Sequence, residues 1–260
     1  MTTREAEKRA QRELAVARIS PLACLSESEM RGAMLCEQLT TLPLDEAAWL
    51  LEWIIRRTLH KDHAARLVYE SMVDPDPFRQ HLGESFFEAC KQAAREVSCV
   101  AALQWLLSAE LHGGTQDDPE KYVHHELRSL ELGSRRALAR RADREILDRL
   151  MIDPDPCVIE NLLNHPQVTE TIVLGICTRR PTLSPPLESV MRSRRWMQRY
   201  RIKLALVQNP HFAPKFAVNL LAFLRAKDLR VIASNGTLPQ TLRAASQRLS
   251  EIFHEEHETL

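Results

Sequence analysis

Between Asp153 and Pro210, proline recurs among short apolar stretches, and this punctuation constrains the fold more than any other feature of the chain. Proline lacks a backbone donor and clashes with the preceding turn, so it interrupts a continuing helix yet suits the first turn of a new one. Residues 164–170 read Asn-His-Pro-Gln-Val-Thr-Glu and residues 208–214 read Gln-Asn-Pro-His-Phe-Ala-Pro. In each, an apolar residue stands two positions after the proline and another four further on: Val168 and Ile172, Phe212 and Phe216. Pro181 and Gly236 align in the same way, with Leu183 and Leu187, and Leu238 and Leu242. The aligned positions lie 15, 29 and 26 residues apart, which predicts single short helices in some units and helix pairs in others. Segments this short cannot bury an apolar stripe alone, so neighbours must stack to complete a core.

A second form of punctuation is Asp-Pro-Asp-Pro, at 74–77 after Met72-Val73 and again, 79 residues later, at 153–156 after Met151-Ile152. Aspartate accepts bonds from the free amides of a helix start, so this tetrapeptide stops one helix and opens the next. Divalent-metal binding is the sharper alternative, but two carboxylates without a third ligand argue against it.

Seven glycines, 5% aromatic residues and abundant Ala, Leu, Arg and Glu favour helix over sheet, so the expected class is all-α. No run of some 18 apolar residues exists to span a bilayer, which predicts no membrane insertion. The charged start, Met1 to Lys8, lacks the apolar core of a secretory signal, which predicts a cytoplasmic protein. Cys24, Cys36, Cys90, Cys99, Cys157 and Cys177 are widely spaced, form no CxxC pair and read as small core residues in a reducing compartment, with no metal or cofactor expected.

Residues 3–19 read as a charged helix ending at Ser20-Pro21, and Ser26 with Glu29 as the cap of a second. Pro43 opens a third, in which Trp49, Leu50, Trp53 and Ile54 share one face; a base-stacking platform is conceivable, but the spacing favours core. Further helices are expected over 65–73, within 84–111 as one or two segments, and over about 120–131 and 134–151. His112 to Pro119 is the one Gly-rich stretch and marks a joint; it lacks the later glycine and Lys-Ser/Thr of a phosphate loop. The organisation expected is a helical region over 1–112, a joint at 113–119, a repeat region over 120–250 and a polar tail at 251–260.

Residues 201–245 carry Leu206 to Pro214 and Ile232 to Pro239, in which an apolar helix leads through an Ala-x-Asn-Gly or related Asn-Pro turn to a Pro-marked start. This pattern resembles the leucine-rich-repeat variant branch of the HEAT-like α-solenoids, over roughly 150–245, with Gly236 in place of the turn proline. The resemblance implies a right-handed solenoid of short stacked helices with an extended surface for a macromolecular partner; it does not imply an activity. Some relatives carry an iron–sulfur cluster on clustered cysteines; this chain has no such cluster, so that cofactor is not expected.

The chain is neutral overall but uneven: residues 1–130 carry 15 Lys/Arg against 21 Asp/Glu (−6), and residues 131–260 carry 20 against 14 (+6). The densest cationic stretch holds Arg179, Arg180, Arg192, Arg194, Arg195, Arg199, Arg201 and Lys203, opposed between 179 and 203 by Glu188 alone, with Trp196 and Tyr200 interleaved. Arginine's planar fork binds two oxygens at once, which suits carboxylates and phosphates. The bland alternative is a solvated face with Trp196 and Tyr200 packed inward. Adjacent His124 and His125 point to different sides of a helix, and His254 with His257 lacks the zinc-protease spacing. No Gly-x-Ser-x-Gly turn is present. These readings converge on a non-enzymatic scaffold that binds another protein, one with an acidic surface, along its concave face; the alternative is a nucleic-acid-binding HEAT-like protein that uses the 179–203 segment, related to DNA repair. The oligomeric state is left open.

Overall fold

The computed structural model describes residues 3–111, 113, 118–141 and 143–258, with side chains described except at 3–10, 120 and 255–258. The described residues are helical, with no strand among them. They form two compact units that are discontinuous in the chain: unit 1 takes Met1–Leu111, Val218–Ser234 and Thr241–Leu260, and unit 2 takes His112–Ala217 and Asn235–Gln240.

Unit 1 is organised around α3 (Leu44–Leu59), which buries Leu50, Leu51, Ile54, Ile55 and Leu59 against α4 (His63–Met72), α6 (Glu84–Glu96) and α7 (Val100–Ser108). Helices α1 (Thr3–Ala23) and α2 (Ser28–Thr41) pack on α4, and α2 also meets α5 (Asp76–Leu82). Helix α1 does not stop at Ser20 but runs through Pro21; the Ser20 hydroxyl donates to the Val16 carbonyl at 2.8 Å, one turn back. Ser26 makes no cap, because α2 starts at Ser28 with Glu27 at the N-cap and no side-chain bond. The 84–111 stretch divides in two at Ser98, which adopts φ 59°; Lys61, after α3, adopts φ 64°. In both cases the next amide, of Cys99 or Asp62, reaches back five residues to the carbonyl of Ala94 or Arg57, the bond of a Schellman stop. Gly83, between α5 and α6, has φ 81°, a conformation a side chain would strain.

Two buried polar groups tie unit 1 together. Glu52 of α3 accepts from the Ala102 amide in the first turn of α7 at 2.8 Å and from Arg56 Nε at 2.6 Å, so a side chain from another helix caps α7. Asn219 donates to the Val73 carbonyl at 3.1 Å while its own carbonyl accepts from the Tyr69 hydroxyl at 3.0 Å. Asn219 lies in α15 (Pro214–Leu220), the last three residues of which belong to unit 1; α16 (Ala226–Ser234) and most of α17 (Gln240–Glu258) follow in the same unit.

Unit 2 contains α8 (Leu132–Leu138), α9 (Arg144–Leu150), α10 (Pro156–Leu163), α11 (Glu170–Thr178), α12 (Ser184–Arg192), α13 (Arg194–Met197) and α14 (Tyr200–Val207). Two sequence expectations fail here. Residues 120–131 form only 3-10 turns at Pro119–Tyr122 and His125–Leu127, and 134–151 is two helices, α9 restarting at Asp143, whose carboxylate accepts from the Ile146 amide. Helix α10 packs on α8, α9 and α12, while α11 packs on α12 and α14. Gly175 of α11 is a close-approach position, since a Cβ there would stand 2.6 Å from Met151 Cε.

One turn recurs at the punctuation. The side chains of Asp153, His165, Asn209 and Asn235 each accept from the amide two residues on, that of Asp155, Gln167, His211 or Thr237, at 3.0 to 3.2 Å. Asp74 of unit 1 does the same with Asp76 at 3.1 Å. After His165, Asn209 and Asn235 the backbone carbonyl accepts from the third residue on, Val168, Phe212 or Leu238, each of which is buried. The residue before the proline or glycine thus fixes the turn, and the turn presents the apolar anchor to the core. All eight aligned anchors, from Val168 to Leu242, are buried, as are Leu163 and Leu206.

Candidate partner-binding surface

From Arg192 to Lys203 the cationic stretch falls on three short helices, with Arg179 and Arg180 in the turn before them, and the helix breaks decide which side chains reach solvent. Helix α12 ends at Arg192, α13 begins after Ser193, and α14 begins after Arg199, each break resetting the helical phase. Arg180, Arg192, Arg194, Arg195, Arg199 and Arg201 are exposed, and Arg179 is half-buried. Lys203 is not part of this surface: it is 3% exposed, on the buried face of α14 with Ile202 and Leu206. The basic run therefore loses one member because position 203 falls in phase with the apolar anchors.

The exposed arginines differ in how they are engaged. Arg192 pairs with Glu188 at 3.2 Å, and Glu188 also accepts from the Ser184 hydroxyl at 3.0 Å. Arg199 reaches Glu170 on α11 at 3.2 Å. The Arg180 guanidinium donates to the Gln208 carbonyl. Arg195 lies over the Trp196 ring, 4.6 Å from its centroid. Among the described residues, no carboxylate pairs with Arg194, Arg195 or Arg201, so these three carry unneutralised charge into solvent. Trp196 is buried, its indole N–H donating to the Leu163 carbonyl at 3.0 Å, and Tyr200 is half-buried. The ring between the arginines is therefore a core residue and not a stacking platform.

The remaining candidates resolve as construction. Asp153 is buried with Arg135, Nε to Oδ2 2.9 Å; burial pushes its carboxyl up despite that partner. Asp155 receives both Nε and Nη2 of Arg136, at 3.0 and 2.8 Å, and caps α10 at Val158; the Arg136 guanidinium holds its carboxyl below the usual range. Arginines thus occupy the positions a cation would take, and among the described residues no group of three or more His, Cys, Asp and Glu is placed to hold a metal. His124 accepts from the Glu126 amide, and His254 is exposed; His257 and most of the joint at 112–119 lie outside the described side chains.

Trp49 and Trp53 are half-buried and not core: Trp49 lines a groove with Leu14, Leu50 and Val97, and Arg57 stands 5.9 Å from the Trp53 ring centroid. Cys36, Cys90, Cys99 and Cys177 are buried thiols, pushed up by burial to about 11 for Cys36 and Cys90 and about 12 for Cys99, while Cys24 and Cys157 are exposed. No described helix is long and apolar enough to cross a membrane.

Compared with protein families, curated proteins and solved structures, the chain matches none.

Proposed function

We propose that the protein is a non-enzymatic scaffold whose arginine-bearing α12–α14 segment binds an acidic surface of another protein. The observation that carries this reading is the contrast with α8: among the described residues no carboxylate pairs with the exposed Arg194, Arg195 and Arg201, whereas Arg135 and Arg136 of α8 are paired. A solvated arginine makes bidentate bonds to a carboxylate that arrives, and complementary charge speeds the encounter. Burial of the Trp196 ring favours a protein over single-stranded nucleic acid, which is held by stacking of bases on exposed aromatic rings.

The architecture best suited to this role is a short right-handed stack of helix pairs. In its support, helices two apart in the chain pack together in unit 2, α8 with α10 and α10 with α12, and the same polar turn opens successive units. Stacks of this kind present extended surfaces built from side chains spaced by the repeat.

The test is capture from a cell lysate by the immobilised full chain, compared with the Arg194→Glu, Arg195→Glu double variant and with DNA and heparin columns. The reading expects an acidic protein held by the native chain and lost in the variant, with the circular dichroism of both unchanged. Retention on DNA that falls steeply with salt, without a protein partner, overturns it in favour of nucleic acid.

A further inference from the structure

Helix α2 presents an unpartnered face of unusual composition. Arg31, Gly32, Leu35, Cys36 and Leu39 are buried on its inner side, while Met30, Ala33, Met34 and Glu37 point outward at three- and four-residue spacing. Met30 is 50% and Met34 41% exposed, so two flexible apolar side chains one turn apart stand in solvent. The exposed charges of α2 and of its flanking residues have one sign, although Arg18 of the adjacent α1 lines a groove with Asp45 and Glu46. Between Ile19 and Ile55 the exposed charged residues are Glu27, Glu29, Glu37, Asp45 and Glu46. The one cation in that range, Arg31, is buried, donating to the Leu25 carbonyl at 2.8 Å and standing 3.9 Å from Glu70.

The α12–α14 segment is the electrostatic converse. From Ser189 to Leu204 there is no Asp or Glu, and Arg192, Arg194, Arg195, Arg199 and Arg201 are exposed; among the described residues only Arg192 and Arg199 of these have carboxylate partners, Glu188 and Glu170. One chain thus carries a helix, α2, whose exposed charges with its N-cap are all acidic, and a segment, 189–204, whose exposed charges are all basic. With 35 Lys/Arg against 35 Asp/Glu, two copies meet with no net charge to hold them apart.

We propose that the acidic, methionine-bearing face of α2 in one copy docks on the arginine-bearing α12–α14 segment of a second copy. Arg194, Arg195 and Arg201 supply forks for Glu27, Glu29 and Glu37, and the aliphatic stems of the arginines cover Met30 and Met34. The two surfaces are different, so the contact is head-to-tail and a docked pair retains one free surface of each kind, one on each copy, which gives a ring or a chain of copies. This assignment rests on reading the arginines as a docking surface and names the partner of that surface as the protein itself.

The experiment is sedimentation velocity on the full chain across a concentration series, at about 50 mM and about 500 mM salt, where screening shortens the reach of exposed charges severalfold. The expected result is mass that rises with concentration at low salt and falls back to the monomer at high salt. Arg194→Glu with Arg195→Glu, and separately Glu29→Arg with Glu37→Arg, each weaken self-association by roughly tenfold or more. Mixing the two variants restores it, because the reversed charges then face each other. Met30→Ser with Met34→Ser weakens it without changing the salt dependence. Should a reversal disturb the helical circular dichroism, Arg194→Gln with Arg195→Gln and Glu29→Gln with Glu37→Gln replace it, each expected to weaken association. A native chain that stays monomeric at low salt, or a mixture that fails to restore association, overturns the proposal. Loss of a captured foreign protein in the arginine variant, with a monomeric native chain, leaves the scaffold reading standing and removes only the self-docking.

Discussion

Replacing Asn209 with alanine tests whether the recurring polar turn holds unit 2 together or merely decorates it. Asn209 is 2% exposed. Its amide donates to the Cys177 carbonyl at 2.8 Å and the Arg179 carbonyl at 3.0 Å, and its Oδ1 accepts from the His211 amide at 3.0 Å. Truncation removes three hydrogen bonds, each with a net value of about 1 kcal/mol, and strands their partners in a closed site, so the cost is about 3–5 kcal/mol. Asn235 builds the same turn in a more exposed setting, accepting from the Thr237 amide at 3.1 Å and its hydroxyl at 2.8 Å, with no bond to a distant carbonyl among the described residues. Asn235→Ala is expected to cost about 1 kcal/mol or less. Asn209→Asp keeps the acceptor and sets a carboxylate against two carbonyls, so it destabilises at least as much as alanine. The assay is urea unfolding read by circular dichroism and by tryptophan fluorescence, Trp196 reporting on unit 2. Equal costs for Asn209→Ala and Asn235→Ala, or a cost below about 1 kcal/mol at Asn209, would refute the argument that these long-range bonds fasten the end of α11 to the turn after α14.

Arg135→Ala leaves Asp153 buried without its cation and is expected to destabilise by about 3–5 kcal/mol; Arg135→Met with Asp153→Asn keeps the turn bond to Asp155 and removes both charges, and is expected to recover most of the loss in thermal unfolding. Equal losses in the single and double variants would mean that the ion pair is not what matters. Alkylation at pH 8 followed by peptide mass spectrometry is expected to label exposed Cys24 and Cys157 and spare Cys36 and Cys90, whose thiols burial pushes to about 11. At that pH only about one in a thousand such thiols is ionised, and access is closed as well. Rapid labelling of Cys36 in the native chain would overturn the packing assigned to α2.

The helical class and the apolar anchors were legible because they follow local rules. Period and the placement of proline or glycine locate Val168, Leu183, Phe212 and Leu238, all of them buried, and at Val168, Phe212 and Leu238 the burial follows from the turn that precedes the residue. Helix stops were legible only where proline or glycine marks them. Helices α3 and α6 end in left-handed residues, Lys61 and Ser98, that no composition rule singles out. The break between α8 and α9 depends on Asp143 acting as a cap inside a stretch whose apolar spacing reads as continuous. Least legible was the discontinuity of unit 1. Nothing near Asn219 announces that it bonds to residues about 150 positions earlier, because such pairing is settled by global packing and not by local preference.

The same distinction governs the candidate surface. A run of cations is visible in sequence, but exposure depends on phase, and phase is reset at Ser193 and at Arg199. Were α12 to α14 one continuous helix, residues 192, 195, 199 and 203 would share a face at three- and four-residue spacing, and Lys203 would stand beside Arg199. The breaks rotate Lys203 inward with Ile202 and Leu206 and leave Arg194, Arg195 and Arg201 outside. Trp196 fixes one of those breaks, since its indole bond to the Leu163 carbonyl anchors α13 against the end of α10. The buried aromatic residue therefore shapes the proposed surface by position: it is the anchor from which the adjacent arginines are held toward solvent, and its loss would disturb the surface without removing a single charge.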